Sequence, residues 1–254
     1  MVTRKSRREI EQMRRAGRLV AEVLALVESE LKPGVSTAHL DRVAEAHIRK
    51  GRWHTVVQGL PGINPRRPFP ASLCISIDDE IVHGIPGERA IREGQVISVD
   101  AGAIVGGWHG DAAQTFFVGE PPPAVRDLIE TTRAAMMAGI AAALPGNHID
   151  DISAAVEDVA KSRGYGVIRQ FVGHGIGTQM HEEPQVPNYR TGRRGRELEP
   201  GLCLAIEPMF TLGSYEAHVL DDDWTVATVD GSLAAHFEHS IALTDNGPEI
   251  LTTV

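Results

Sequence analysis

An internal repeat restricts the fold of this chain more than any other feature of its sequence. Apolar residues follow the three-and-four spacing of a helix face from Ile10 to Leu31 and again from Leu128 to Ala143, and each stretch stops at a Pro-Gly pair. A second helical pattern follows each of them, at Leu40 to Ile48 and at Ile152 to Ala160. Because the same order returns after about 110 residues, it favours duplication of one unit over a chance similarity of two helical hairpins.

The repeat continues into strands that lead to acidic residues. Gly94 precedes a strand-like run that reaches Asp100, and Gly201 precedes one that reaches Glu207, so both acids lie six residues beyond a turn glycine. We expect each acid to end its strand. Two related halves that each supply a carboxylate predict a central, concave site between them.

The composition is that of an ordinary globular protein without a nucleic-acid surface. The 254 residues are 42% hydrophobic and 23% charged, which is enough for one sizeable core. A net charge of −9 argues against nucleic-acid recognition as the main function, because phosphate binding usually leaves a basic surface. Arginines gather at Arg4 to Arg15 and at Arg190 to Arg196, where solvated surface is the ordinary interpretation and transient ribosome contact the alternative.

The sequence contains no signal for membrane insertion or secretion. It has no run of about 18 apolar residues, and its N-terminal segment leads into an amphipathic helix rather than into an apolar signal core. We expect a cytoplasmic, monomeric protein without membrane contact. Cys74 and Cys203 lie in apolar, strand-like runs, which predicts buried thiols rather than a disulfide.

Five possible ligand side chains occur where a purely structural chain would favour hydrocarbon. They are Asp100, Asp111, His174, Glu207 and Glu238. Four buried carboxylates would repel one another and lose several kcal/mol each in hydration, so their burial requires cations. The set predicts two divalent ions in a mixed oxygen and nitrogen shell, which favours Mn, Fe, Co or Zn, whereas the imidazole disfavours calcium.

Asp100 and Asp111 fall on a predicted hairpin. Val96 to Ile104 and Trp108 to Val118 have strand character, and Gly106-Gly107 marks the turn between them. The two carboxylates are then either directly opposite or diagonal, and both registers suit metal ions about 3.5–4 Å apart. A pair of turn-flanking acids without a metal is the alternative interpretation of this hairpin alone.

The other three candidates have unusual neighbours. Glycines flank His174 on both sides, which lets a ligand approach the ring closely, and a second imidazole, His181, follows seven residues later. Glu207 stands before Pro208 after an apolar run, and Glu238 lies in an apolar strand where an unpaired carboxylate would be costly. These contexts favour ligands over core or turn residues.

In this order, the motifs resemble type I methionine aminopeptidases over nearly the whole chain, from the N-terminal helix to Thr244. Besides the Asp100 and Asp111 hairpin and the glycine-flanked His174, the stretches that carry the resemblance are 72–77 (SLCISI), 82–86 (VHGIP), 181–184 (HEEP), 206–208 (IEP) and 237–239 (FEH). The resemblance implies an α+β, pita-bread fold, with two pseudo-symmetric αβ halves around a curved antiparallel sheet. It also implies a single catalytic domain over residues 1–254, with internal repeats at roughly 8–120 and 121–250.

The resemblance assigns roles to individual residues. It makes Asp100 a chelating ligand of one metal ion, Asp111 and Glu238 bridging ligands, and His174 with Glu207 ligands of the second ion. It places His83 and His181 beside the scissile bond, and it places Phe69, Cys74, Met180 and Trp224 around the methionine side chain. Met180 and the Gly59 to Arg67 region depart from the commoner family pattern, in which an aromatic residue and a shorter loop are usual.

The implied reaction is removal of the first methionine from nascent polypeptides whose second residue is small. A hydroxide activated by two metal ions attacks the first peptide carbonyl, and Glu207 moves its proton. His181 donates to the developing oxyanion, and His83 holds the amide nitrogen that becomes the leaving amine. Coordination of the substrate's free amino group explains why only the first residue is removed.

Two other functions are alternatives. An Xaa-Pro peptidase or prolidase of the same fold uses a similar ligand set, although such enzymes usually carry a large extra N-terminal domain. A non-enzymatic binding module is the second alternative, and the presence of all five ligand positions with both imidazoles argues against it.

Overall fold

The structure is a computed structural model that describes residues 2–62 and 64–254. Met1 and Ile63, which the predicted domain includes, lie outside the described residues. The helices within these ranges are α1 (Arg7–Glu30), α2 (Thr37–Lys50), α3 (Pro123–Ala142) and α4 (Ile149–Arg163). The strands are β1 (His54–Thr55), β2 (Leu73–Ile77), β3 (Glu80–Val82), β4 (Val96–Val105), β5 (Trp108–Phe117), β6 (Gly166–Val167), β7 (Gly173–Gly175), β8 (Glu182–Val186), β9 (Cys203–Ile206), β10 (Met209–Thr211), β11 (Ala217–Val219), β12 (Val226–Thr228), β13 (Ala234–His236), β14 (Glu238–Thr244) and β15 (Gly247–Ile250).

The helices begin and end at residues whose chemistry favours a boundary. Ser6 caps α1 in a capping box, because its hydroxyl accepts from the Glu9 amide while the Glu9 carboxylate accepts from the Ser6 amide at 2.7 Å. Ser36 caps α2 by accepting from the His39 amide at 3.2 Å. Gly164 ends α4 in the left-handed conformation that favours glycine. The four predicted helical patterns are confirmed as α1 to α4.

The largest sheet joins strands from both parts of the chain by antiparallel pairing. Its strands follow the order β1-β4-β5-β14-β9-β7-β8, while β2 also pairs with β4 and β15 with β14. Two three-stranded sheets, β13-β10-β6 and β11-β12-β3, adjoin it through contacts of β13 with β4 and β5 and of β3 with β2. The neighbours β5 and β14 are far apart in sequence, so their pairing closes the structure across its two halves.

The predicted hairpin of β4 and β5 is confirmed with the diagonal register. Gly106 and Gly107 form its two-residue turn with φ of 59° and 84°, the left-handed values that such a tight turn needs. Asp100 pairs with Ala113, two residues beyond Asp111. Asp100 lies inside β4 and does not end it, which corrects the expectation of a strand end, because the hairpin continues the ladder beyond this residue.

The helices cover one face of the large sheet. Helix α1 packs on β4 and β5, where Val99 and Ala101 belong to its hydrophobic cluster. Helix α3 packs over β9 and β14, where Ile206 and Phe237 belong to a second cluster. Successive strand residues point to opposite faces, so the residues that alternate with these apolar side chains point away from the helices.

Burial agrees with the expectation for the thiols. Cys74 and Cys203 are both free and buried. Across the described residues, every helix is too short or too polar to serve as a membrane span.

Replacing Gly110 with alanine tests the contact between α1 and β5. A Cβ atom there would lie 2.6 Å from the Gly17 nitrogen and 2.7 Å from the Ala16 carbonyl carbon, and backbone atoms cannot rotate away. We expect Gly110→Ala to lower the free energy of unfolding by about 1–3 kcal/mol, which denaturant titration measures. Gly87→Ala is the matched control, because a Cβ at Gly87 meets open space. Equal stability of the two variants would contradict the close packing.

Candidate metal centre

Three neighbouring strands bring acidic residues to one face of the large sheet. Asp100 of β4 and Glu238 of β14 both pair with Ala113 of β5, and directly paired residues share a face. Asp111 lies two residues before Ala113 and therefore points to the same side. This is the face opposite the helices, since Val99 and Phe237 precede two of the acids and pack in the helix-covered clusters.

Strands β9 and β7 add the two remaining ligand candidates. Ala205 of β9 pairs with both Ser240 of β14 and His174 of β7. Ser240 follows Glu238 by two residues, so His174 shares its face. Glu207 lies two residues after Ala205, just beyond the end of β9, and approaches the same place. Five adjacent strands thus converge on one centre.

Distances between the side chains define the centre. The His174 Nε2 atom lies 3.8 Å from an Asp111 carboxylate oxygen and 3.5 Å from one of Glu207. One ligand atom each from Asp111, His174 and Glu238 lie within 4.8 Å of one another, a spacing that a single metal ion can bridge. Asp100 lines the same cavity and, with Glu207, extends the donor set.

Unpartnered oxygens show that these residues suit cations. Asp100 Oδ1, Asp111 Oδ1 and Glu238 Oε1 are buried and have no hydrogen-bond partner among the described residues. A buried polar atom in this condition costs about 1–3 kcal/mol, and more when it is charged. Carboxylate oxygens with one imidazole nitrogen form a donor set that Mn, Fe, Co and Zn accept. The chain therefore fits divalent metal ions at this place.

The carboxyl groups strongly influence one another when no cation is present. Burial raises the pKa of Asp100 to about 7. Burial, and next the charge of a neighbouring aspartate, raises the pKa values of Asp111, Glu207 and Glu238 well above the ordinary carboxyl range. A cation that binds here at neutral pH must therefore displace protons.

The imidazole of His174 is prepared as a neutral ligand. Burial is the main reason that its pKa falls to about 4, so the ring is uncharged at neutral pH. Its Nδ1 lies 2.8 Å from the Gly175 carbonyl oxygen, which can only accept a hydrogen bond. The proton therefore belongs on Nδ1, and Nε2 presents its lone pair to the carboxylates.

His83 and His181 stand at the edge of the centre. The His181 ring packs edge-to-face on His174, with centroids 4.4 Å apart. His83 has a left-handed backbone with φ of 60°, a conformation that is uncommon for histidine and clusters at functional sites. Burial lowers the pKa of His83 to about 4 and also lowers the pKa of His181. Both rings are therefore neutral hydrogen-bonding groups at neutral pH.

An apolar compartment adjoins the acidic centre within one cavity of about 500 Å³. Phe69 and Trp224 meet edge-to-face there with centroids 5.0 Å apart. Met180 and Cys74 belong to the same buried cluster, and burial raises the pKa of the Cys74 thiol, which stays neutral. Every residue that we predicted for metal binding, catalysis or substrate binding lines this single cavity.

Sequence reasoning left His236 without a role, and this residue also lines the cavity. It is 2% exposed, and its Nε2 has no hydrogen-bond partner among the described residues, 3.9 Å from a Glu207 carboxylate oxygen. Its position two residues before Glu238 in apolar sequence was the available signal, because this spacing favours a common strand face.

A buried ion pair beside His181 was also missed. The Lys5 ammonium group lies 2.7 Å from a Glu182 carboxylate oxygen, with side-chain exposures of 4% and 10%. Glu182 also accepts from the Gln179 amide, so this pair connects the N-terminal segment to the loop that carries His181. The separation of 177 residues between the partners left no local pattern to read.

Comparison with known proteins agrees with this architecture. Residues 11–245 match metallopeptidase family M24. The methionine aminopeptidase of Clostridium acetobutylicum is 48% identical over 253 residues, which cover 99% of each chain. The crystal structure of the methionine aminopeptidase from Thermotoga maritima has a TM-score of 0.95 and 38% identity, and covers 100% of each chain. A prolidase from Pyrococcus furiosus has the same fold, with a TM-score of 0.79 and 20% identity, over 99% of this chain and 65% of its own.

The fold and the carboxylate-rich centre define a metallopeptidase of the pita-bread class, which confirms the predicted α+β fold. The chain belongs to metallopeptidase family M24 and, through relatives that match it over their full length, to the methionine aminopeptidases within that family. It is therefore an enzyme, a hydrolase that works with divalent metal, which decides against the non-enzymatic alternative.

Metal addition to chelator-treated protein should raise its unfolding temperature. At Mn²⁺ concentrations about 100-fold above Kd, binding stabilises the native state by about 2.7 kcal/mol. Without metal, the raised carboxyl pKa values mean that stability is lost as pH rises through about 7, the pKa of Asp100. At one fixed Mn²⁺ concentration, the metal displaces fewer protons at pH 8 than at pH 6 and binds more tightly, so the metal-induced shift should be larger at pH 8, as measured by calorimetry.

Two asparagine variants control this experiment. Asp111→Asn should remove most of the shift, whereas Asp245→Asn, whose side chain is 74% exposed, should keep it. The shift is the proper readout, because neutralising a buried carboxylate can itself stabilise the metal-free protein. A shift of the same size in both variants would exclude the carboxylate cluster as the metal site.

Proposed function

We propose that this enzyme removes the N-terminal methionine from nascent polypeptides whose second residue is small, and that two divalent cations serve the reaction. The main support is the division of one cavity into a base with five ligand-type side chains and an adjoining apolar compartment. The base suits the first peptide bond and the free amino group beside it. The apolar compartment suits an unbranched thioether side chain.

The proposed ligands are Asp100, Asp111, His174, Glu207 and Glu238. When bound, the metal ions lower the pKa of a water molecule and polarise the substrate carbonyl. Glu207 is the proposed proton carrier, because it stands just beyond the end of β9 and its side chain is 13% exposed, against 3% for Asp111. It can accept a proton during attack and later deliver it to the departing amine.

His181 and His83 are the proposed hydrogen-bond donors to the reacting amide. Each ring is neutral near pH 7, so each presents one N–H and one acceptor nitrogen. We assign His181 to the developing oxyanion and His83 to the amide nitrogen. His83 is held by edge-to-face packing on Phe171 at 5.3 Å, which fixes its ring for this task.

The proposed preference for a small second residue has a steric basis. The rings of His83, His181 and Phe171 all border the cavity near the position proposed for the scissile bond. A bulky side chain after that bond would have to displace rings that are already packed, His83 on Phe171 and His181 on His174. Glycine, alanine and serine are the expected second residues.

We also propose that the enzyme acts on nascent chains, that it works in the cytoplasm and that it is a monomer. A transient ribosome contact is proposed at the arginines between 190 and 196. Several of these are already paired, since Arg190 lies 2.6 Å from Asp158 and Arg196 lies 3.0 Å from Glu199. Paired arginines contribute less net positive charge, which suits a weak contact.

Peptide cleavage tests the proposed specificity. The metal-loaded enzyme should release free methionine from Met-Ala-Ser, with loss of activity when the substrate is N-acetylated or when its second residue is leucine. Mass spectrometry of the products measures this directly. Preferred cleavage of peptides with proline second and varied first residues would instead indicate the prolidase-type alternative.

Substitution of the two imidazoles tests their roles. His181→Ala and His83→Asn should each lower kcat by about 10²–10⁴-fold, because a positioned proton donor is lost. Asparagine is chosen at position 83 because it tolerates the left-handed backbone. His39→Ala, on the outer side of α2, is the matched control and should keep full activity. If both variants kept the wild-type kcat while binding metal, these roles would be wrong.

A further inference from the structure

We propose that Asp223 is a positioning residue that holds residues 59–62 and 64–67, here called the roof loop, over the apolar compartment and so sets the pocket for the first side chain. The inference rests on the proposed function for the identity of that side chain. Its structural part, a latch between two distant segments, stands on contacts that involve neither metal nor substrate.

The described part of the roof loop covers the apolar compartment. Leu60, Pro61 and Gly62 line the cavity beside Trp224. A Cβ atom at Gly62 would lie 2.5 Å from the indole ring, so the loop backbone already rests against that ring. Two hydrogen bonds tie the start of the loop to Phe69, from the Gly59 amide at 2.9 Å and to the Leu60 carbonyl at 3.0 Å.

The other end of the loop is held from across the cavity. Asn64 donates to an Asp223 carboxylate oxygen at 3.2 Å, and the Arg67 guanidinium lies 3.2 Å from the same oxygen. The Trp224 indole N–H donates to the Arg67 carbonyl at 2.8 Å. The Asp223 carboxylate therefore binds two side chains of the roof loop, and Trp224, the next residue, donates a hydrogen bond to the backbone of that loop.

The turn that carries Asp223 is built to present this carboxylate. Asp222 accepts from the backbone amides of Trp224 and Thr225 at 2.9 and 2.8 Å, which closes the turn. Asp223 has φ of 70°, a left-handed conformation that aspartate and asparagine tolerate better than most residues. Asp222 thus fixes the turn, and Asp223 is free to bind the loop.

The latch acts on the pocket through Trp224. This ring contacts Gly62 on the loop side, packs on Phe69 at 5.0 Å and stands 6.2 Å from His83. Loosening the loop would free one side of the indole and widen the compartment. The Asp223 carboxylate bonds Asn64 and Arg67, not the proposed metal ligands or imidazoles, so binding and discrimination of the first side chain should change more than the chemical step.

The expected size of the effect follows from exposure. The Arg67 and Asp223 side chains are 60% and 35% exposed, and an ion pair in such a position is worth little by itself. We therefore expect Asp223→Asn to raise KM for Met-Ala-Ser by about two- to fivefold while kcat stays within about twofold. The ratio of kcat/KM for Met-Ala-Ser over Leu-Ala-Ser should fall by a similar factor.

Asp221→Asn is the matched control. It makes the same change in charge two residues away, in the same turn, while its exposed side chain makes no hydrogen bond to the loop among the described residues. Asparagine at 223 also preserves the backbone conformation. Wild-type kinetics for Asp221→Asn with an altered KM for Asp223→Asn would support the latch. Equal behaviour of the two variants would overturn it.

Limited trypsin digestion gives a second readout that does not depend on catalysis. Arg66 lies in the roof loop, and cleavage after it should be at least about threefold faster in Asp223→Asn than in wild type or Asp221→Asn, because local opening exposes the bond. Arg67→Gln should speed this cut as well, and the double variant should add little, since both changes break one contact. Unchanged digestion of Asp223→Asn would overturn the latch.

The two readouts separate this inference from the proposed function. If the wild-type enzyme released no methionine from Met-Ala-Ser, the proposed function would fail, and digestion would still decide whether Asp223 holds the loop. If methionine were released and Asp223→Asn matched Asp221→Asn in both readouts, the latch would fail and the proposed function would stand.

Discussion

Mutual repulsion of four closely placed carboxylates, of which Asp111 and Glu238 are buried and Asp100 and Glu207 half-buried, is the constraint on which the rest of this structure depends. Asp100, Asp111 and Glu238 each keep a buried oxygen without a hydrogen-bond partner among the described residues, and such a group opposes folding unless a cation joins it. The protein can bear this free-energy cost because Asp100, Asp111 and Glu238 lie in strands, whose pairing in the sheet holds the carboxylates together. The sheet behind them is held by apolar packing of α1 and α3 on its other face. Hydrophobic burial on the helix-covered face of the sheet thus offsets the free-energy cost of holding the carboxylates close together on the opposite face.

The neutral imidazoles in the centre and at its edge follow from the same environment. Burial that raises carboxyl pKa values lowers those of His83 and His174, so the cavity gathers groups that can give and accept protons without carrying charge of their own. The Lys5 and Glu182 pair lies just outside this zone and secures the loop that carries His181. The Lys5 and Glu182 pair is fully charged and its partners satisfy each other at 2.7 Å, whereas the imidazoles that line the cavity are polar but neutral.

Local sequence signals predicted the helices and the hairpin, whereas pairing between strands that are distant in sequence determines which side chains meet at the site. Helical periodicity located α1 to α4, and the Gly-Gly turn located the β4 and β5 hairpin, because both depend on residues near one another in the chain. The register was left open between two choices, and the diagonal one was found. The adjacency of β5, β14, β9 and β7 could not be derived from periodicity, since those strands lie far apart in sequence. The cost of burying several carboxylates grouped the five ligand candidates before any geometry was available, and the resemblance to a family then assigned their individual roles.

The same distinction explains why the roof loop was the least predictable part of the cavity. Its contacts to Asp223 join residues separated by more than 150 positions, and they are single polar bonds at a half-exposed surface rather than a buried apolar pattern. The spacing of apolar residues along the sequence cannot predict such a contact. The base of the cavity is fixed by five strands and by the need to neutralise charge, so few sequences can build it. The roof is fixed by a loop, one indole ring and one carboxylate, so its shape can change without disturbing the base. Adjustment of substrate choice at constant chemistry is therefore easiest in the roof of this cavity.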